Sequence, residues 1–215
     1  MLGQLPRASR PAFSALWNLD LAFADIVAST SEPRLGAIRM AWWREQLEAL
    51  DAGLNAPAEP RLQAVQTELL HRGVSGGELS MLEDGWLPLL ASFPWSEQVA
   101  SGLKLRGRLL FGVGARLLGG DPEDAEAAGA LWSLVDGARH CSDVHSRMLL
   151  LEKARKSIGE LPTPRPPKFL RRLTGLAAMA AHDVMRNRPL DLPYYDAGRG
   201  MAAFLHYTRG TLPRG

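Results

Sequence analysis

Between Pro11 and Thr30 the chain carries apolar residues at helical spacing and almost nothing that would stop a helix. Leu16, Leu19, Phe23, Ile26 and Val27 form one stripe on a 3.6-residue wheel. The opposite side holds Leu21, Ala24 and Ala28 around Asp25. A helix apolar on nearly every side belongs in the middle of a helical bundle, and no other segment constrains the fold as tightly. The apolar inventory agrees: Leu and Ala dominate, against three Ile and eight Val, and β-branched residues are the ones that populate strands. Period-two alternation is sustained nowhere. The expected fold is therefore all-α, a single-domain helical bundle of about eight helices, and 215 residues that are 46% hydrophobic can supply its core.

The pattern predicts helices over Pro11–Thr30, Pro33–Ala52, Glu59–Arg72, Gly76–Ala91, Ser96–Leu118, Pro122–Ile158, Pro167–Asn187 and Gly200–Arg209. Ser31 with Pro33, Ser96 with Glu97, and Asp121 with Pro122 and Glu123 read as starts. Gly53, Gly73, Gly119 and Gly120 read as stops. The long segment after Pro122 is expected to break near Gly137 or beyond Ser146. Leu161–Pro167 (LPTPRPP) is a linker, because its prolines cannot sit inside a helix, and it is too short to separate two domains.

A net charge of +2 gives no electrostatic case for nucleic acid, and no nucleic-acid motif, phosphate-cradling glycine loop or nucleophile elbow occurs. The 21 Arg against 4 Lys would suit phosphate groups, or reflect a composition bias. The single Cys141 gives neither disulfide nor cysteine metal site and fits a reducing compartment. The first residues, MLGQLPRASRP, hold no apolar core of signal-peptide length, and no uninterrupted apolar run reaches the ~20 residues that cross a bilayer. The expected location is cytoplasmic, with a membrane-peripheral surface as a further arrangement.

Asp20 lies at the edge of the first stripe and Asp25 opposite it. A carboxylate on an apolar helix is costly to bury unless paired, hydrogen-bonded or bound to metal. Both are thus candidates for a central cavity, or structural carboxylates satisfied by an arginine from a neighbouring helix. On the next helix Trp42 and Trp43 cannot face the same way, and Arg39 lies one turn from Trp43. His140 and His145 do not share a helix face, so surface roles are expected. The same holds for His182-Asp183 with Arg186 and for the Lys153–Lys156 patch, read as solvated faces. Cys141 reads as a buried, inert thiol.

The runs Ala15-Leu16-Trp17-Asn18-Leu19-Asp20, Ala24-Asp25-Ile26-Val27 and Glu32-Pro33-Arg34-Leu35-Gly36-Ala37-Ile38-Arg39-Met40-Ala41-Trp42-Trp43-Arg44 resemble the squalene/phytoene synthase family. There an "ALYAF" helix leads into Asp-Asp-x-x-Asp, followed by "SEP-x-LG" and "IR-x-x-WWR". Weaker similarity continues through Asp84-Gly85-Trp86, Gly107–Phe111 and Leu117–Gly119, so that it covers residues 11–150. The resemblance implies an isoprenoid synthase-type bundle around a central cavity. It also implies the head-to-head joining of two prenyl diphosphates with Mg²⁺ held by two acidic motifs. By position it makes Asp25 and Asp143 the metal-site acids. Arg10, Asp20, Arg39, Trp43, Arg44, Arg139 and His140 become contacts for an isoprenoid diphosphate. No catalytic residue is assigned.

The chain departs from that pattern where the chemistry lies. The first motif's three acids fall on Ala24, Asp25 and Ala28. The second, usually Arg-Asp-x-x-Glu-Asp, reads Arg139-His140-Cys141-Ser142-Asp143 after Gly129, and the usual Tyr-Leu-Pro segment is replaced by Met148–Leu151. The N-terminal Ser-Arg element is absent, while Arg10 keeps the arginine before the first helix. Ionising an allylic diphosphate needs several metal ions on the leaving group, and one acid per motif binds them poorly. The pattern from Glu32 to Met40, ahead of Trp42-Trp43, is also similar to the branch of the family that assists assembly of respiratory complex I, whose acidic motifs are likewise eroded. The two expectations are a diverged synthase-like protein that binds an isoprenoid diphosphate, and a non-catalytic protein that binds a partner at a membrane surface.

Overall fold

The computed structural model describes residues 3, 5–161, 165–188, 190 and 196–211, and among them the chain is all-α. The α-helices are α1 (Arg10–Ser29), α2 (Pro33–Asp51), α3 (Pro60–Glu68), α4 (Gly76–Ser80), α5 (Leu82–Trp86), α6 (Glu97–Leu117), α7 (Glu123–His140), α8 (Val144–Gly159), α9 (Arg171–Met185) and α10 (Ala197–Arg209). They fall into two compact units, Met1–Ser92 and Phe93–Gly215. Within the Leu161–Pro167 linker, Pro162, Thr163 and Pro164 lie outside the described residues.

In the first unit α1 packs on α3 and α5, and α2 packs on α4. Phe13, Leu16, Leu19, Phe23 and Ile26 of α1 are all buried. The expected burial on every side does not hold: Leu21 is 49% exposed, and Asp25 and Ala28 also face solvent. The stripe alone meets the core, and the small residues of the opposite side give neighbours little to pack on. The stretch Arg7–Ser29 is long and apolar enough to cross a membrane, and half of its apolar window is buried, as in a core helix.

Gly36 explains part of the "LG" signature. A Cβ there would stand 2.7 Å from Leu90 Cδ2, so a larger residue would require the Leu90 side chain to shift where α2 meets the 3₁₀ turn Leu87–Leu90. The predicted helix Gly76–Ala91 is instead three short pieces, which part at Met81 and again before the 3₁₀ turn Leu87–Leu90, where Pro88 stands in the first turn. Gly76 and Gly77 present their amides to the Asp51 carboxylate at 2.7 Å each. The first residue before α2 is Glu32 rather than Ser31, and its side chain makes no capping bond.

In the second unit α6 and α7 approach most closely where Gly107 faces Gly129. A Cβ on either would fall 2.1 Å from the other's carbonyl oxygen. The Pro122–Ile158 segment breaks after His140, between the two expected places, because Asp143 caps α8 and starts a new helix. α9 packs on α7, and α10 packs on α9. Ser96 caps α6 as expected, accepting from the Gln98 amide.

Candidate functional site

The first unit holds six of the sequence-predicted residues. Asp20 is 2% exposed, and its Oδ1 accepts a hydrogen bond from Trp86 Nε1 at 2.8 Å. The Asp84-Gly85-Trp86 stretch thus meets α1 through its tryptophan, as donor to a buried carboxylate. Asp25 stands on the exposed side of α1 and pairs with Arg61 of α3 at 2.7 Å. Of the readings left open for it, the arginine from a neighbouring helix is the one the structure displays.

Trp43, not Trp42, faces inward. It is 8% exposed and tilted against Phe23, with ring centroids 6.2 Å apart. Arg39 turns away from it and donates to Ser29 Oγ at 3.1 Å and Thr30 Oγ1 at 2.8 Å, bracing the α1–α2 turn. Arg44 bridges to Glu83 at 2.8 Å and to Glu48 at 3.3 Å. Burial raises the Glu83 carboxyl against the pull of Arg44. Arg10 donates to the carbonyls of Leu5 at 3.0 Å and Gly3 at 2.7 Å, tying down the segment ahead of α1.

The second unit holds Arg139, His140 and Asp143. Asp143 Oδ1 accepts from the Ser146 amide at 2.8 Å and from the Ser146 hydroxyl at 2.6 Å, and Ser146 Oγ in turn accepts from the Trp95 amide at 2.8 Å. These bonds from Ser146 hold the Asp143 carboxyl below its ordinary value. His140 is exposed, and its Nδ1 donates to the Asp136 carbonyl at 2.8 Å. Cys141 is buried and burial pushes its thiol up, the opposite of an activated nucleophile.

Arg139 leads to what the sequence reading missed. It donates to Asp183 Oδ2 at 3.2 Å and to the Leu190 carbonyl at 2.9 Å. Arg199 of α10 meets the same carboxylate through Nε, 2.9 Å from both oxygens, and through Nη2. Asp183 is 2% exposed, so its reading as part of a solvated face is corrected. α9 turns it inward, where burial pushes its carboxyl up to about 6 against Arg139 and Arg188. A second pair lies alongside: Arg106 donates to Asp136 at 2.9 Å and sits over the Trp132 ring, 5.0 Å from its centroid. Asp136, Arg139, Asp183 and Arg199 line a cleft together with the apolar Trp132, Val135, Leu176 and Met179. The cleft is narrow, with room for little more than one water molecule. The signal in the sequence was the charge of Asp183 and Arg199, but nothing there joins residues 44 and 60 positions beyond Arg139.

Asp25 and Asp143 are each engaged by their own unit's side chains or amides, and each is a single acid where its motif would supply several. Among the described residues no group of three or more His, Cys, Asp or Glu is placed to hold a metal ion. No protein-family model, curated protein or solved structure matches the chain.

Proposed function

We propose that this chain is a squalene/phytoene synthase-like protein that works by binding a partner rather than by joining prenyl diphosphates. The reading rests on the resemblance from Trp17 to Arg44. The observation that carries it is the state of the two remaining motif acids, Asp25 in an ion pair with Arg61 and Asp143 capping α8. Its nearest functional analogue in the family is the complex I assembly branch, and its place is the cytoplasm at the face of a membrane. A second reading is metal-independent binding of an isoprenoid diphosphate, for which Arg139, on a cleft it shares with Leu176 and Met179, would be the phosphate contact.

Calorimetric titration of farnesyl and geranylgeranyl diphosphate, with and without Mg²⁺, separates these readings. Partner binding expects no heat from either ligand and no product. Metal-independent binding lost in Arg139→Ala supports the second reading. Mg²⁺-dependent tight binding abolished by Asp25→Ala, with product formed, overturns both.

A further inference from the structure

The outward face of α2 is apolar and built for a like surface. Leu35, Ile38 and Trp42 are 53%, 66% and 40% exposed, and at spacings of three and four residues they form one stripe. It lies opposite the side that buries Gly36, Met40, Trp43, Leu47 and Leu50. The Trp42 ring stands edge-on against the anchored Trp43, with centroids 5.5 Å apart and planes at 87°. It is therefore oriented before any partner arrives, which lowers the entropy lost on docking.

Charge along the stripe says what covers it. Arg34 stands at its N-terminal end and Glu45 at its C-terminal end, eleven residues on. Eleven residues make about three turns, so both lie on the same flank, roughly 16 Å apart along the axis. An anionic bilayer would call for one sign of charge along the face. This flank instead runs from positive to negative, which is complementary to itself when reversed. Glu45 keeps capacity for a new partner. Its own-chain contact to Arg44 is 3.6 Å long, while Arg44 is held more closely by Glu83 and Glu48.

We propose that two copies of this chain form a two-fold dimer through antiparallel α2 helices. In a two-fold interface each residue pair occurs twice, and in an antiparallel helix pair the same flanks meet. Arg34 then lies against the partner's Glu45, and Glu45 against the partner's Arg34. Ile38 and Trp42 straddle nearly the same midpoint as that charged pair, so Ile38 meets the partner's Trp42. An aromatic anchor at the centre with charged pairs at the rim is the usual distribution of binding energy. Three apolar residues a side make this a weak dimer, well below the area of obligate ones. The proposal stands independently of the function proposed above.

Sedimentation equilibrium of the full chain, up to several hundred micromolar, tests it. The expected result is a monomer–dimer equilibrium, monomeric in Trp42→Glu and also in Ile38→Glu, the latter with an unchanged thermal midpoint because Ile38 is 66% exposed. Arg34→Glu and Glu45→Arg alone should each loosen the dimer by roughly tenfold or more, and the double exchange should restore it. A wild-type chain monomeric throughout overturns the proposal, and its binding to phosphatidylserine vesicles would assign the face to a bilayer. A dimer indifferent to Ile38→Glu, or a double exchange that fails to restore association, overturns it too.

Discussion

In the first unit Arg44 and Arg61 meet their acids with 37% and 35% of each side chain in solvent, whereas in the second Arg106, Arg139 and Arg199 do so at 5%, 9% and 3%. Among the described residues of the first unit Asp20 is the only buried carboxylate, and it accepts from an indole N–H. The second buries whole ion pairs. The consequence is energetic as well as geometric. An exposed pair contributes at most ~1 kcal/mol, while removing one member of a buried pair leaves an uncompensated charge. The units thus differ in how much of their stability hangs on single side chains, and the resemblance to a known family lies mainly in the unit where little does.

The largest effect should come from Asp183→Ala, which removes both carboxylate oxygens that Arg139 and Arg199 meet, a loss that protonation alone does not cause. We expect a loss of about 3–5 kcal/mol in urea unfolding, and a loss under ~1 kcal/mol would erase the contrast between the units. Asp20→Ala should come next, at about 1–3 kcal/mol, because the Trp86 indole is left buried without its acceptor. If Asp20→Ala proved as costly as Asp183→Ala, the first unit would share the second's dependence on buried charge.

Acid should separate two groups in the second unit. His206 is fully buried, its Nδ1 3.1 Å from the Thr211 carbonyl and its Nε2 2.8 Å from Thr174 Oγ1. Burial holds its pKa below the ordinary 6.5, so the unfolded chain takes up the proton first. Its contribution is complete above pH 6.5 and is lost as pH falls toward the folded value. Asp183 acts in the opposite sense. With its pKa raised from 3.8 to about 6, the folded chain binds more protons in that window, and stability rises as pH falls through it. His206→Gln should therefore flatten the decline of thermal midpoint just below pH 6.5, and an unchanged decline would remove His206 as its source. The smallest effect belongs to Asp25→Ala. Loss of the exposed Arg61 pair should cost no more than ~1 kcal/mol, and a larger loss in unfolding would mean Asp25 supports more than that pair.

The helices were legible because their signals are local. Pro33, Ser96 and Gly53 start or stop helices within a turn of where they stand, and the α1 stripe records its buried side. Partnerships across the chain were not. Nothing in His182-Asp183-Val184 says that Arg139 and Arg199 close on Asp183, and a charged run on a helix reads as solvated until tertiary packing turns it inward. The first motif was half legible. The loss of its flanking acids to Ala24 and Ala28 could be read directly, but the salt bridge from Arg61 to Asp25 depends on how α3 lies against α1.

On the proposed reading this chain does not ionise a prenyl diphosphate, and pyrophosphate release tests that most directly. Purified protein in excess over geranylgeranyl diphosphate, with saturating Mg²⁺, should release no more pyrophosphate than a protein-free control. Protein-dependent release that disappears in both Asp25→Ala and Asp143→Ala would contradict the account, because those carboxylates would then serve the chemistry rather than the fold.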